Sequence, residues 1–354
     1  MKILLVRLRL VGDVVFTTPL VRALRRQFPD AHLTYAVEPA AAPVVQDNPH
    51  LNEVIVLPQA RGLQRLRVDI AAALRIRRQR FDLAIDLHGG PRSAWLTWAS
   101  GAPTRIGYAI AGRSWMYTAV VPRAADLAPR HSVTNQWDLL RPLGIEPGTP
   151  AIDPVEIPEN AVAGTAVGAR LEAAGVTAAH ALVVIHVSAG NAFRRWPPAA
   201  FEDLVVGLVQ HDGRRRVVLT SGPSDADAAR RIADAARARL GDRAHAVPDA
   251  GEFDLAELRT LVARASVYIG GDSGPLHVAA ATRTPIVALL GPTLPERSKP
   301  WRDPGWFVEM VDMQLPCRPC NQRVCEPGDF RCLTWITPER VLEATERALA
   351  APRL

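Results

Sequence analysis

A single carboxylate, Asp13, follows the first apolar run of the chain. The run KILLV (residues 2–6) leads into Gly12-Asp13, after which a second apolar stretch begins. A carboxylate in this place can cap the following helix. It can also face a ligand and accept a proton as a general base. The local sequence leaves both roles open.

A denser group of polar residues occupies residues 270–277, GGDSGPLH. Glycines allow a backbone to approach a ligand closely, and the amides at a helix start favour phosphate. His277 follows Asp272 by about one helical turn, so the two side chains can face the same ligand. We therefore expect Asp272, Ser273, Gly274 and His277 to bind an anionic group. The alternative is a capped helix with a buried histidine.

Two arginines follow another strand-like run, in VIHVSAGNAFRRWPP (residues 184–198). Ser188 comes at the end of this run, and Arg194 and Arg195 come just before the next helix. Because guanidinium groups pair bidentately with phosphate oxygens, this segment is predicted to contact a diphosphate. An ordinary surface pair is the alternative.

These residues need parallel sheets to bring them to one edge. Short β-like runs alternate with helical patterns before and after a proline-rich segment at residues 146–160, which is typical of a linker. The pattern predicts an α/β protein of two Rossmann-like domains, residues 1–152 and 153–354, and includes AHAV (residues 244–247) as a strand. Ligands of such sheets bind at the carboxyl ends of the strands.

The length of 354 residues suits two domains, and 48% hydrophobic with 22% charged residues is typical of a soluble globular protein. The apolar start is short and is followed at once by Arg7 and Arg9, unlike a signal peptide. No apolar run is long enough to span a bilayer. We therefore expect a cytoplasmic protein.

The formal net charge of +6 indicates acidic partners such as nucleic acid, anionic lipid headgroups or phosphorylated sugars. Much of the excess lies in residues 61–80, which contain seven arginines and Asp69 as the single acid. This stretch is either a solvated helix face or a surface for a membrane or an anionic substrate.

Several motifs are absent from the sequence. It has no Walker loop, no GxGxxG after the first strand and no acidic pair in a clear metal-binding loop. These absences argue against an ATPase, a dehydrogenase and a metal-dependent transferase. What remains is a metal-free nucleotide-sugar site, in which cationic side chains and helix dipoles hold the diphosphate.

All four cysteines lie in CRPCNQRVCEPGDFRC (residues 317–332), which we call the cysteine-rich segment: Cys317, Cys320, Cys325 and Cys332. The spacing resembles a metal knuckle, so bound structural zinc is one possibility. Cytosolic disulfides are disfavoured. The favoured alternative is a structural element that orders this segment, with reduced thiols.

Three motifs in order, RLRLVGDVVFTTPLVRAL, RRWPPAAF and GGDSGPLHVAAATRTPIVALLGPT, resemble glycosyltransferase family 9, the heptosyltransferases of lipopolysaccharide inner-core assembly. The resemblance runs nearly end to end. It implies a GT-B fold, in which two Rossmann-like doubly wound domains face a central cleft and the C-terminal one holds ADP-heptose. It also implies an inverting reaction that requires no metal or other cofactor.

The resemblance also implies site residues. In this family a Gly-Asp motif carries the catalytic carboxylate. That motif is Gly12-Asp13 here, which favours Asp13 as the general base. The diphosphate loop is Asp272-Ser273-Gly274, and Arg194 takes the place of a lysine. By spacing, the adenine-side residue falls at Phe253. The ribose-binding acid has no clear match in TSGPSDAD, where Asp225 is the best candidate.

On the acceptor side, DLHGGPRS (residues 86–93) ends another predicted strand. His88, Arg92 and Ser93, together with Gly12, are expected to meet an anionic acceptor. The implied partners are ADP-heptose, lipid A–Kdo or a heptosylated core, and the anionic inner-membrane surface, with no nucleic acid. The cysteine-rich segment favours the second heptosyltransferase type.

Rival interpretations remain at this stage. A member of the same family could glycosylate a protein or use another nucleotide sugar. A different class would be a non-catalytic module that binds a sugar nucleotide. Retention of Asp13 together with the DSGPLH loop argues against that module.

Overall fold

The computed structural model describes residues 1–125 and 128–352, with the backbone alone at Leu63. In this part the chain divides into two compact units, Met1–Pro158 and the residues from Glu159 onward. The division falls within the segment that the sequence predicts as a linker.

Residues just past the expected boundary at 152/153 are held by the first unit. Asp153 is fully buried and accepts hydrogen bonds from Arg26 at 2.9 and 3.0 Å. Glu156 forms an ion pair with Arg22 and accepts a hydrogen bond from Asn48. These polar contacts explain why the compact unit extends to Pro158.

The first unit is a parallel six-stranded sheet in the order β3-β2-β1-β4-β5-β6, flanked by helices. Ile3, Leu4, Leu5 and Val6 are all fully buried, as expected for a parallel strand covered on both faces. The elements are β1 (Lys2–Val6), α1 (Val11–Val15), α2 (Thr18–Gln27), β2 (His32–Val37), α3 (Ala42–Val45), β3 (Glu53–Val56), α4 (Gly62–Arg78), β4 (Leu83–Asp86), α5 (Pro91–Ala99), β5 (Thr104–Tyr108), β6 (Ala119–Val121) and α6 (Ser132–Trp137).

The second unit is a parallel five-stranded sheet in the order β11-β10-β9-β7-β8. Along β7, Val183 and Ile185 join one hydrophobic cluster while Leu182 and Val184 join another, so helices cover both faces. The elements are α7 (Ala161–Ala173), β7 (Ala181–His186), α8 (Pro198–His211), β8 (Arg215–Thr220), α9 (Ala226–Leu240), α10 (Leu255–Arg264), β9 (Val267–Gly271), α11 (Gly274–Ala280), β10 (Ile286–Leu290), α12 (Pro295–Ser298), β11 (Val308–Asp312), α13 (Arg331–Thr334) and α14 (Pro338–Ala350).

Each sheet has a point where its strand order reverses, and ligands of open α/β sheets bind outside the carboxyl ends of the strands at this point. In the first unit the reversal lies between β1 and β4, and in the second it lies between β7 and β9. The topology therefore directs attention to the loops after these four strands.

The prediction of a strand at residues 244–247 was wrong. These residues overlap a 3₁₀ helix, Gly241–Ala246, that continues from the end of α9. The run has only four residues, and its histidine is exposed, so it lacks the continuous apolar character of a buried strand. Strands β5, β6 and β11 were not predicted from the sequence, because β6 has only three residues and the other two carry polar residues.

Across residues 1–125 and 128–352, none of the helices is at once long and apolar enough to cross a lipid bilayer.

Candidate active site

The carboxylate of Asp13 is held by an arginine at the carboxyl end of β1. Arg7 Nη2 lies 2.5 Å from Asp13 Oδ2, and Arg7 Nη1 donates a 2.6 Å hydrogen bond to the carbonyl oxygen of Leu87, just after β4. The side chain of Arg7 is 11% exposed and that of Asp13 is 35% exposed. The ion pair therefore orients a carboxylate that solvent or a ligand can still reach.

Asp13 does not act as a helix cap. Helix α1 begins after Leu10, and within the described residues no side chain accepts a capping hydrogen bond at this end. Asp13 lies in the first turn and uses its carboxylate for Arg7 instead. Its neighbour Gly12 is buried in the first turn of α1.

His88 lies at the end of β4, next to this ion pair. Burial, assisted by the positive charge of Arg7, lowers the pKa of His88 to about 4. The imidazole is therefore neutral at neutral pH and acts as a hydrogen-bonding group, not as a cation. Its buried Nδ1 has no hydrogen-bond partner among the described residues.

A buried carboxyl group, Asp86, supports the loop that carries His88. Asp86 accepts hydrogen bonds from the backbone amides of His88 and Gly89 at 2.9 Å and from the hydroxyl of Tyr117 at 2.6 Å. Burial raises the pKa of Asp86, and these hydrogen bonds counteract that effect. The network fixes the backbone beneath the imidazole of His88.

Ser93 belongs to this support. It is fully buried, and its hydroxyl accepts a hydrogen bond from the Gly90 amide. Its one hydrogen can be donated to either Asp86 Oδ2 at 3.1 Å or the Gly90 carbonyl oxygen at 3.0 Å. These contacts favour a structural role over the acceptor contact that the sequence suggested.

Arg92 is also occupied within the protein. Its guanidinium contacts Glu38 at 2.7 Å, Asp69 at 2.8 Å and the carbonyl oxygen of Pro58 at 3.0 Å, and its side chain is 10% exposed. Because two carboxylates already surround it, its charge is offset and it is poorly placed to attract an anionic acceptor.

The exposed cations of this region are other arginines. A pocket of about 800 Å³ is lined by His88, Arg92 and the exposed Arg9, Arg61 and Arg65. Arg65 lies 3.7 Å from the carboxylate of Asp69 and is 59% exposed. Arg61 and Arg65 come from the arginine-rich stretch, so part of that stretch faces a polar pocket that also includes Leu8 and Arg9, just before α1.

In the second unit, Arg194 joins the loops after β7 and β9. Arg194 Nη1 lies 3.1 Å from Asp272 Oδ2, and Asp272 is buried. His277 is buried in α11, with its Nε2 atom 3.9 Å from Asp272 Oδ1. The hydroxyl of Ser273, directly before Gly274, is buried without a hydrogen-bond partner among the described residues. Four of the predicted donor-site residues therefore lie together.

Arg195 forms a second ion pair at the same edge. Its Nη2 atom lies 3.2 Å from Asp225 Oδ1, and its Nε donates to the carbonyl oxygen of Ala189 at 2.9 Å. Ser188 accepts a 3.0 Å hydrogen bond from the Gly222 amide, which joins the loops after β7 and β8.

His186, the last residue of β7, is a further polar residue at this strand end that was not predicted from the sequence. It is buried, and its Nδ1 lies 3.0 Å from the hydroxyl of Thr220 at the end of β8. Burial lowers the pKa of His186 to about 4, so the imidazole is neutral at neutral pH. It was missed because a histidine inside an apolar run has no distinctive local pattern.

Phe253 lines a pocket of about 160 Å³ beside α9 and the end of β8. The guanidinium of Arg170 lies over the ring, 4.0 Å from its centroid. Ser221, Arg230 and Asp249 are among the other lining residues. An aromatic ring with polar neighbours suits a nucleobase and its ribose.

The four cysteines are free thiols that are neither fully buried nor fully exposed. In the described ranges, no three histidine, cysteine or acidic side chains are arranged to hold a metal ion. The zinc alternative therefore finds no support in the geometry. Burial raises the pKa of Cys332 to about 11, as expected for an unreactive thiol.

Two Rossmann-like domains with functional loops at their strand ends define the GT-B class. The crystal structure of a family 9 glycosyl transferase from Veillonella parvula DSM 2008 matches the fold with a TM-score of 0.82, at 22% identity, covering 98% of this chain and 97% of that one. The Escherichia coli ADP-heptose lps heptosyltransferase II matches with a TM-score of 0.76, at 23% identity, covering 99% and 98%. The predicted fold class is confirmed.

Sequence comparison assigns the family. The model of glycosyltransferase family 9 (heptosyltransferase) matches residues 70–329. Lipopolysaccharide heptosyltransferase 3 of Escherichia coli strain K12 is 27% identical over 346 residues, covering 97% of this chain and 96% of its own. The chain belongs to glycosyltransferase family 9 and is a glycosyltransferase, which confirms the resemblance seen in the sequence motifs.

Proposed function

We propose that this enzyme transfers heptose from ADP-heptose to the inner core of lipopolysaccharide, with inversion and without a metal ion. The observation that carries the proposal is the Asp13 carboxylate, oriented by Arg7 and left partly exposed at the strand-order reversal of the first domain. Membership of a heptosyltransferase family supports heptose as the transferred sugar. One of the two Escherichia coli relatives is named for lipopolysaccharide, and the name of the other contains ADP-heptose and lps.

The proposed chemistry is a single displacement. The acceptor hydroxyl oxygen forms a bond to the anomeric carbon while the bond from that carbon to the diphosphate oxygen breaks, and ADP leaves with the electron pair. Asp13 takes the hydroxyl proton. Attack from the face opposite the departing diphosphate inverts the anomeric configuration.

Cationic side chains in the second domain are suited to the diphosphate. Arg194 is 32% exposed, and its Nη2 atom has no hydrogen-bond partner among the described residues. Arg195 is 44% exposed and is matched by the single carboxylate of Asp225. Positive groups fixed before the reaction stabilise negative charge as it develops on the leaving ADP. In this proposal Phe253 contacts the adenine and Asp225 the ribose.

The acceptor contacts differ from those first expected. We assign the anionic part of the core to the pocket lined by the exposed residues Arg9, Arg61 and Arg65. Arg92 lines the same pocket, but two carboxylates already hold its guanidinium. His88 contributes a neutral imidazole, whose buried Nδ1 has no hydrogen-bond partner among the described residues. The preferred acceptor is a core that already carries a heptose, as in the second heptosyltransferase type.

Helix α4 supports binding to the cytoplasmic face of an anionic membrane. Leu66, Ile70 and Leu74 recur every four residues and are 60%, 45% and 50% exposed, so they form an apolar ridge on one helix face. Arg67 and Arg78, also exposed, flank the ridge. A helix that presents exposed apolar and basic side chains is suited to an anionic lipid surface.

The test is a transfer assay. Purified enzyme is incubated with ADP-heptose and either lipid A–Kdo or the same acceptor carrying one heptose, and ADP release is measured. We expect faster release with the heptosylated acceptor and an inverted anomeric configuration in the product by NMR. The proposal would be contradicted if a different nucleotide sugar supported transfer and ADP-heptose did not, or if the anomeric configuration were retained in the product.

A further inference from the structure

The cysteine-rich segment (residues 317–332) contacts the donor-side loops of the second domain at several points. Phe330 packs edge-to-face on Phe193, with 5.1 Å between ring centroids. Arg318 donates a 2.8 Å hydrogen bond to the carbonyl oxygen of Thr293, in the loop after β10. The segment therefore packs against the loops that follow two strands of the second sheet.

Gln322 makes the most specific of these contacts. Its Oε1 atom accepts hydrogen bonds from Arg194 Nε at 2.7 Å and from Asn191 Nδ2 at 3.2 Å. Since Oε1 accepts two donors, the orientation of the side-chain amide is determined, and its NH₂ group points away from them. Gln322 has a φ of 56°, a left-handed conformation that is uncommon outside glycine.

Arg194 is consequently held from two sides. Gln322 binds its Nε atom, and Asp272 lies 3.1 Å from its Nη1 atom. Of the three nitrogens, Nη2 is left without a partner among the described residues. A guanidinium held in this way presents one fixed donor edge, which lowers the entropy lost when it binds an anion.

We propose that Gln322 is a positioning residue for the nucleotide diphosphate, acting through Arg194. The cysteine-rich segment then has a defined task, which is to bring this amide to the loop after β7. The inference rests on the proposed function, because it assumes that Arg194 binds the diphosphate.

The test measures ADP binding by calorimetry and the KM values for donor and acceptor. Gln322→Ala is expected to weaken ADP binding about tenfold, as for loss of a hydrogen bond to a charged group. Gln322→Glu, which has nearly the same shape, should weaken it at least as much, because its carboxylate neutralises Arg194. A merely structural role predicts that Gln322→Glu resembles the parent. The acceptor KM should stay unchanged.

The nearby Gln314 provides a control, since its amide lies 3.4 Å from Asp312 and, in the described part of the chain, it hydrogen-bonds to neither Arg194 nor Arg195. Gln314→Ala should bind ADP like the parent. In an Arg194→Ala background, Gln322→Ala should change ADP affinity less than twofold, because coupled residues are not additive. An undiminished effect in that background, or parental ADP binding by Gln322→Ala, would overturn the inference. If Arg194→Ala itself leaves ADP binding intact, the proposed donor site fails instead.

Discussion

Arg7 links the two strands at the reversal point of the first sheet through a 2.5 Å contact with Asp13 and a 2.6 Å hydrogen bond to the Leu87 carbonyl. One buried guanidinium thus fixes both the candidate base after β1 and the loop after β4 that carries His88. A substitution of Arg7 or Asp13 should therefore affect the chemical step more than nucleotide binding.

Asp13→Asn should lower kcat by about a hundredfold or more, because the amide cannot accept the acceptor proton. The shape of the side chain is retained, and ADP binding should stay within about twofold of the parent. Steady-state kinetics and calorimetry measure the two effects. Asp30→Asn, an exposed aspartate in the same domain, is the control. Near-normal turnover in Asp13→Asn would exclude Asp13 as the base.

Arg7→Lys should lower kcat by about tenfold, since an ammonium cannot hold Asp13 and the Leu87 carbonyl in the same geometry. The affinity for ADP should not change, because Arg7 belongs to the other domain. If kcat is retained while only thermal stability falls, Arg7 has a purely structural role.

Transfer should persist in excess EDTA. In the proposed function Arg194 and Arg195 stabilise the negative charge of the diphosphate, so transfer needs no divalent cation for this purpose. The measurement is ADP release before and after chelation and after addition of magnesium or manganese. A loss of activity that magnesium restores would mean that the assignment of the diphosphate site is wrong.

The α4 surface should bind anionic membranes. Arg67, Arg77 and Arg78 are exposed, whereas Arg75 already pairs with Glu53 at 3.0 Å, so the first three are the ones to replace. Their triple change to glutamine should weaken binding to phosphatidylglycerol liposomes at least about tenfold, because each arginine adds about 1 kcal/mol of attraction near such a surface. The acceptor KM should rise and the donor KM should not.

A matched control removes three exposed arginines from the second domain: Arg231, Arg243 and Arg323. Equal liposome binding by the two triple variants would show that net charge alone acts. Replacing Leu66, Ile70 and Leu74 by serine should also weaken binding, and this loss should persist at high salt because it comes from apolar contact.

Stability should fall as the pH drops from about 6.5 toward 4. Burial lowers the pKa of His186 from 6.5 to about 4, so in this window the unfolded chain binds a proton that the folded chain does not. Linkage then makes the free energy of unfolding decrease with falling pH, by on the order of 1 kcal/mol per unit for this group. Urea unfolding at several pH values should give a shallower slope for His186→Gln. The control is His245→Gln, which removes an exposed histidine and should keep the pH dependence of the parent. The same pH dependence in His186→Gln as in the parent would contradict a lowered pKa for His186.

The sequence alone determined the fold class and the placement of the main polar loops. Alternating apolar runs and helical patterns are local signals, and a parallel sheet brings the carboxyl end of every strand to the same edge. For this reason the sequence alone places Asp13, Arg194 and Asp272 just after strand ends, and the structure puts Asp13 in the first turn of α1. The secondary structure of short apolar runs was harder to predict. Residues 244–247 were wrongly predicted as a strand, because four residues carry too little periodicity.

The tertiary structure decided which charges are available. Arg92 and Arg61 look alike in sequence and line the same pocket, yet the first is enclosed by Glu38 and Asp69 while the second is exposed. The pairings of Arg7 with the Leu87 carbonyl and of Arg194 with Gln322 join residues 80 and 128 positions apart. Such contacts depend on strand register and loop conformation, which no local pattern encodes, so the partners of a charged side chain become known only when the chain is folded.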